Sequence, residues 1–240
     1  MNMRSNNELN DLFDYGYKIF QNKDYFKFSI DSVLLAEFVD VKKGHKKILD
    51  MCSGNAPIPL ILNTKYGDNI DIVGVEIQKD IYDLGRQSID YNNVKNIRLI
   101  NMDVKEYISS ENTKYDIVTC NPPYFKKTDM KILNDNEIKA IARHEITIDL
   151  DEVLYCASRL LKNKGYFYLV HQAVRLADVI NAMKKYRFGV KKVQMVYDDV
   201  KSDCCFILIE AIYNGEDYVK INQPLFLREH NTYKNIFRRD

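Results

Sequence analysis

Short apolar runs rich in β-branched residues alternate along the chain with segments whose apolar residues recur at helical spacing. The runs are KKILDM (46–51), DIVGVE (71–76), IRLINMD (97–103), YDIVTC (115–120) and YFYLVH (166–171). Each has strand length and polar or turn-forming flanks. Helical patterns occupy 57–66, 78–92, 150–162 and 174–186. Strand–helix alternation of this kind predicts βαβ units, a mostly parallel sheet and helices on both of its faces. Two further runs, VKKVQMVY (190–197) and CCFILIEAIY (204–213), are separated only by the polar turn DDVKSD. They predict an antiparallel C-terminal hairpin that closes the sheet. The expectation is an α/β fold with a mostly parallel, seven-stranded sheet.

The 240 residues, 28.2 kDa in mass, suit one large α/β domain better than two. Hydrophobic residues make up 46% and charged residues 29%, with 9 Gly and 5 Pro, which excludes disordered and collagen-like classes. No apolar run reaches the roughly 20 residues of a membrane span, and the first residues, MNMRSNNELNDLFDYGYK, lack a signal-peptide core. A cytoplasmic protein with no membrane partner is expected. The 5 cysteines contain no C-x-x-C, and none of the 4 histidines has ligand spacing, so neither a disulfide framework nor a metal site is expected. A net charge of +1 points globally to no partner, and local clusters must carry that argument.

The first strand runs into LDMCSGNAPIPLIL, residues 49–62. An acid at a strand end (Asp50), a turn around Gly54 and a helix opening on Pro57 present backbone N–H groups to a ligand. Glu76 ends the second strand, where a carboxylate can accept from both hydroxyls of a ribose, and Asp103 ends the third. Three carboxylates on one edge suit a nucleoside carrying hydroxyls and an amine and suit a pyrophosphate poorly. S-adenosylmethionine is favoured over a dinucleotide. Cys52 and Ala56 stand in the turn where glycine is easiest, because a Cβ resists positive φ.

The fourth strand runs straight into Asn121-Pro122-Pro123-Tyr124. An amine conjugated to a π-system is a poor nucleophile, since its lone pair is delocalised. With the Asn121 side-chain oxygen and the Pro122 carbonyl as acceptors for its two N–H bonds, the nitrogen moves toward tetrahedral geometry and its lone pair faces a methyl donor. The two prolines hold φ near −65° and so fix both acceptors. Tyr124 offers a flat face for a planar substrate group. Lys126 and Lys127 follow, in place to meet a phosphate backbone.

These residues resemble class I S-adenosylmethionine-dependent methyltransferases of the amine-methylating type. More specifically, FKFSIDSVLLAEFV (26–39), NPPYF (121–125), residues 140–171 and the tail PLFLREHNTYKNIFRRD (224–240) resemble the bacterial tRNA (adenine-N6)-methyltransferase family. The resemblance implies a Rossmann-like class I methyltransferase fold. It also implies N6-methylation of an adenosine in the tRNA anticodon loop, at position 37 on the 3′ side of the anticodon. By the same resemblance Asp50, Glu76 and Asp103 hold the methionine, ribose and adenine of the cofactor, with Cys52, Gly54 and Asn121 beside them, and Asn121 to Tyr124 hold the target base. The chain departs from the family pattern at Ala56, where glycine is usual, and at Val170-His171-Gln172-Ala173, where Val-His-Arg-Pro is usual.

Residues 1–40 are read as an N-terminal arm packing on the cofactor site and 41–240 as a single methyltransferase domain. In that arm Phe28, Ser29 and Asp31 are candidates to close over the cofactor. Candidate RNA contacts are Lys126, Lys127, Arg143 and the basic stretch that includes Lys184, Lys185 and Arg187. Two other functions share these features. A protein-glutamine methyltransferase of the release-factor type uses the same tetrad on a side-chain amide, but with a helical N-terminal domain larger than this arm. A catalytically silent RNA-binding module would follow if Ala56 abolished cofactor binding.

Overall fold

The computed structural model describes residues 6–23, 30–123 and 148–229. A β-hairpin of β1 (Asn7–Asp11) and β2 (Lys18–Asn22) opens the chain and is followed by helix α1 (Ile30–Phe38). The central sheet then alternates with helices through β3 (Lys47–Met51), α2 (Pro57–Tyr66), β4 (Asp71–Glu76), α3 (Lys79–Tyr91), β5 (Ile97–Asn101), α4 (Val104–Ser110) and β6 (Tyr115–Cys120). After residue 148 come α5 (Leu150–Leu160), β7 (Leu161–Gln172), α6 (Leu176–Lys185) and the hairpin of β8 (Phe188–Tyr197) with β9 (Cys204–Tyr213). Short strands β10 (Lys220–Ile221) and β11 (Leu225–Phe226) both pair with the outer side of β8.

Strand order is β8-β9-β7-β6-β3-β4-β5, parallel from β7 to β5, with β9 antiparallel to both of its neighbours. The seven long strands are those predicted from sequence, but among the described residues the sheet has nine because β10 and β11 extend it. Two-residue strands have too few positions to show an alternating pattern, so periodicity does not reveal them.

Side-chain alternation along the strands divides the core into two layers. Leu49, Met51, Val118, Cys120, Phe167 and Leu169 face α4, α5 and α6, whereas Ile48, Ile117, Tyr168 and Val170 face α1, α2 and, through Ile89, α3. The expected helices on both faces are therefore present. Several boundaries differ from the pattern. α5 starts where Asp149 and Glu152 form a reciprocal capping box, but it stops at Leu160 and β7 begins in the next residue, ahead of the predicted 166–171. The predicted 97–103 strand ends at Asn101, because the Asp103 side chain accepts from the Lys105 N–H and starts α4. The 174–186 helix begins at Leu176, after a 3₁₀ turn over Ala173–Arg175.

Candidate functional site

Strand pairing assembles one edge of the sheet. Met51 pairs with Cys120 on one side and Val75 on the other, and Glu76 pairs with Asn101. The residues that leave these strands, Cys52, Asn121 and Met102, therefore start from neighbouring positions about 5 Å apart per strand. The chain first builds outward from β3 to β5 and then returns to lay β6 on the opposite side of β3. At such a reversal the two flanking loops diverge and leave a ligand crevice at the carboxyl ends of the strands. Here that crevice separates the 52–56 loop from Asn121-Pro122.

The loop is shaped by three left-handed residues, Cys52 (φ 57°), Gly54 (φ 59°) and Ala56 (φ 70°). For Cys52 and Ala56 this conformation costs about 1–2 kcal/mol each. The sequence-based objection to a Cβ at these positions is thus met by strain, not by a different path. Several bonds hold the strained turn in place. The Ser53 N–H donates to the Val75 carbonyl (2.9 Å), the Ala56 N–H to the Ser53 carbonyl (3.0 Å) and the Gly54 N–H to Glu76 Oε2 (2.8 Å). β4 must be bare beneath the turn, since a Cβ on Gly74 would lie 2.6 Å from Ser53 Oγ and 2.4 Å from Leu99 Cδ2.

The three predicted carboxylates occupy different environments. Asp50 is fully buried, and its two oxygens accept from Ser53 Oγ (2.8 Å) and Thr119 Oγ1 (2.6 Å). Burial, with a smaller contribution from the Glu76 charge, raises its carboxyl to about 7 despite these hydroxyl donors. Glu76 is also buried, and burial raises it, opposed by the N–H groups of Gln78 and Gly54 that donate to its oxygens. Asp103 is partly exposed, caps α4 through one oxygen and faces the Lys105 ammonium at 3.6 Å through the other. Its helix-capping role accounts for its position without a ligand, although the side chain stays on the ligand edge. Cys52 is half-buried. Burial and the neighbouring Cys52 thiol push Cys120 well above the usual thiol range, so Cys120 stays protonated.

Asn121 is half-buried and Pro122 buried, while Pro123 is exposed. The Asn121 Nδ2 donates to Ser32 Oγ of α1 at 3.0 Å. The arm touches the 52–56 loop as well: Asn55 Nδ2 donates to the Phe20 carbonyl (2.8 Å), and the Phe20 N–H donates to Ser88 Oγ of α3 (2.9 Å). Ser32, Ser53 and Thr119 were missed by motif reading, because hydroxyl residues at such spacing carry no signal of their own. Only Ser53, three residues beyond Asp50, lies within the turn around Gly54.

The edge does not gather every predicted residue. β8 runs parallel to β7, so α6 returns toward the amino ends of the strands, and Lys184, Lys185 and Arg187 sit at the edge opposite Asn121. Lys185 is engaged with Asp151 at 2.7 Å. Strands of this length put any phosphate met by these residues on the order of 20 Å or more from a base at Asn121. Tyr124, Lys126, Lys127 and Arg143, with Phe28 and Ser29 of the arm, lie outside the described residues. Among the described residues, no group of His, Cys, Asp and Glu side chains could hold a metal ion, and no helix is long and apolar enough to cross a membrane.

Residues 42–237 match the family model of a methyltransferase domain. A tRNA1(Val) (adenine(37)-N6)-methyltransferase of Haemophilus influenzae (strain Rd) is 30% identical over 182 residues, 75% of each chain. A protein of the same description from Aliivibrio salmonicida is 26% identical over 211 residues, covering 87% of this chain and 86% of its own. Among solved structures, a predicted O-methyltransferase from Agrobacterium tumefaciens superposes with a TM-score of 0.64 at 18% identity, over 84% of this chain and 89% of that one. That last likeness concerns the fold alone.

Proposed function

The chain belongs to the methyltransferase-domain family and, within it, to the tRNA1(Val) (adenine(37)-N6)-methyltransferases, and from that premise we propose that it methylates N6 of adenosine 37 in tRNA. The observation that carries this reading is the exit of Asn121-Pro122 from β6 directly across the crevice from the 52–56 loop. A neutral amide and a backbone carbonyl, both acceptors, stand where a ligand held by that loop meets a second substrate.

The residues present fit S-adenosylmethionine. The bonds from Gly54 and Gln78 leave lone-pair capacity on the Glu76 carboxylate for ribose hydroxyls, and Asp50 and Asp103 add negative charge around the turn. When bound, S-adenosylmethionine supplies an electrophilic methyl group on a positively charged sulfur. Asn121 Oδ1 and the Pro122 carbonyl accept the two N–H bonds of the adenine amine, which frees its lone pair from the ring. No ionisable base is needed, since the amine becomes acidic only after it has gained the methyl group, and water then takes the proton. Pro122 and Pro123 hold the acceptors without ordering entropy at each turnover. Tyr124 would stack on the exposed base. An unpaired loop adenosine suits this site, because extruding a base from a duplex costs a few kcal/mol more. The arm, through Phe20 and Ser32, closes the cofactor side of the crevice.

The test is incubation of labelled S-adenosylmethionine with unmodified total tRNA, duplex DNA and total protein, followed by nucleoside and peptide mapping. N6-methyladenosine at position 37 is the expected product. Label on a stem adenine, on DNA or on protein glutamine would refute the assignment.

Asp50 makes a further prediction. Its folded value near 7 lies above the ordinary carboxylate range, so the folded protein holds a proton that the unfolded chain has released. This group's contribution to stability therefore falls as pH rises from about 4 to 7. A cationic cofactor prefers the ionised form, so its affinity should tighten from pH 5.5 to 7, by up to about tenfold per pH unit. Titration calorimetry across that range checks this, and Asp50→Asn should flatten the profile. A flat wild-type profile would mean that the cofactor does not sense the charge of Asp50.

A further inference from the structure

We propose that Thr119 is a positioning residue for cofactor binding: its hydroxyl fastens the Asp50 carboxylate in its charged form where β3 enters the 52–56 turn. The inference rests on the reading that this turn holds S-adenosylmethionine, whose positive charge responds to Asp50. Thr119 is the exception in its strand, since Ile117, Val118 and Cys120 around it are apolar and buried. Valine has the same shape and would pack there equally well, and a buried hydroxyl costs free energy unless it is bonded. Register supplies the bond. Thr119 pairs directly with Asp50 across the β3–β6 ladder, both are fully buried, and Thr119 Oγ1 lies 2.6 Å from Asp50 Oδ1. β-branching restricts the side-chain torsion and so holds the hydroxyl in place. On the other side of β3, Asp50 pairs with Gly74, which has no side chain, and Ser53 Oγ takes that space and donates to Asp50 Oδ2 at 2.8 Å.

A hydroxyl can donate or accept, and the two states of Asp50 use it differently. The ionised carboxylate only accepts, so Thr119 donates to it in a charge-assisted bond. The protonated acid has two lesser arrangements. Thr119 can donate to a neutral oxygen, a bond about half as strong, or it can accept the acid's proton and turn its own toward the Leu49 carbonyl, 3.5 Å away at the outer limit of a hydrogen bond. Either way the bond favours the charged form. Among the described residues, the charge that acts on Asp50 is that of Glu76 at the end of β4, which opposes ionisation, and Cys120, next to Thr119 on β6, stays protonated. With no cation to stabilise the carboxylate, the two hydroxyls hold it alone. Because burial leaves Asp50 titrating about 7, losing one of them changes its charge at neutral pH.

The test compares wild type with Thr119→Val, which keeps the shape and removes the donor, and with Thr119→Ser, which keeps the donor. Carbon-13 titration of the Asp50 carboxyl, in protein without cofactor, should have its midpoint raised by about one pH unit in Thr119→Val, the difference between a charge-assisted and a neutral bond, and stay near wild type in Thr119→Ser. Calorimetric affinity for S-adenosylmethionine should then fall in Thr119→Val by about tenfold at pH 6 but by less than about twofold at pH 8.5, where Asp50 is ionised in both proteins. In an Asp50→Asn background the same substitution should cost less than about twofold at either pH. A loss that does not vary with pH, or an equal loss in the Asp50→Asn background, would show a packing role and overturn the proposal. An unmoved Asp50 midpoint, with wild-type affinity still dependent on pH, would overturn it alone. A raised midpoint with a wild-type affinity that is flat from pH 5.5 to 7 would overturn it together with the reading beneath it, since the cofactor would then ignore the charge of Asp50.

Discussion

Asn121→Ala is expected to reduce methyl transfer by at least about a hundredfold, the usual cost of removing one preorganised hydrogen-bonding group from a transition state, near 3 kcal/mol. Truncation leaves only the Pro122 carbonyl to accept from the amine, so the second N–H stays conjugated and the lone pair is not released. Cofactor affinity should change by less than about threefold. The 52–56 turn proposed to hold the cofactor is fastened by Ser53, Gly54 and Ala56 through bonds to Val75, Glu76 and each other, none of which involves Asn121. Single-turnover rates with saturating tRNA, together with calorimetric cofactor titration, separate the two quantities. Wild-type turnover in this variant would remove the acceptor mechanism, whereas a matching loss of cofactor affinity would move Asn121 into the cofactor site.

Glu76→Ala should have the opposite profile. The carboxylate accepts from the Gly54 and Gln78 N–H groups, both at 2.8 Å, in a site where Glu76 is only 5% exposed. Its removal leaves backbone donors without a partner, at about 1–3 kcal/mol each when buried. It also takes away the acceptor proposed for the ribose hydroxyls, since charge-assisted bonds are about twice as strong as neutral ones. S-adenosylmethionine should bind at least about a hundredfold more weakly, and the melting temperature should fall by ~5 °C. The turnover rate at saturating cofactor should change far less than in Asn121→Ala. Glu76→Gln keeps an acceptor but loses the charge, and should fall between wild type and Glu76→Ala. An unaltered dissociation constant in Glu76→Ala would mean that the ribose is held elsewhere, with Glu76 serving only to fasten the turn.

Much of this site was legible because its main residues lie at or next to the ends of strands. β-branched runs mark β3, β4 and β6, their parallel order follows from the helices between them, and Asp50, Glu76 and Asn121 therefore reach one edge. Asn121-Pro122, which leave β6 at that edge, supply the pair of acceptors proposed for the target amine. The identity of the capping residue was less legible. Asp103 serves α4, a seven-residue helix too short to show its periodicity, so the same acid reads equally as a ligand contact or a cap.

Local sequence thus determined the elements, their order and the residues at their ends, because backbone propensity and apolar spacing act within a few positions. Only the tertiary structure decided the rest, because it depends on chain direction and on pairings across long separations. That the basic stretch around Lys184 lies at the sheet edge opposite Asn121 follows from β8 running parallel to β7, a direction that local sequence does not reveal. Ser32 and Asn121 meet because α1 packs over α2 and the sheet, and Thr119 reaches Asp50 because β6 lies beside β3. A hydroxyl has no recognisable spacing to a partner dozens of residues away. Its role comes into being only when packing brings the two polar atoms within hydrogen-bonding distance.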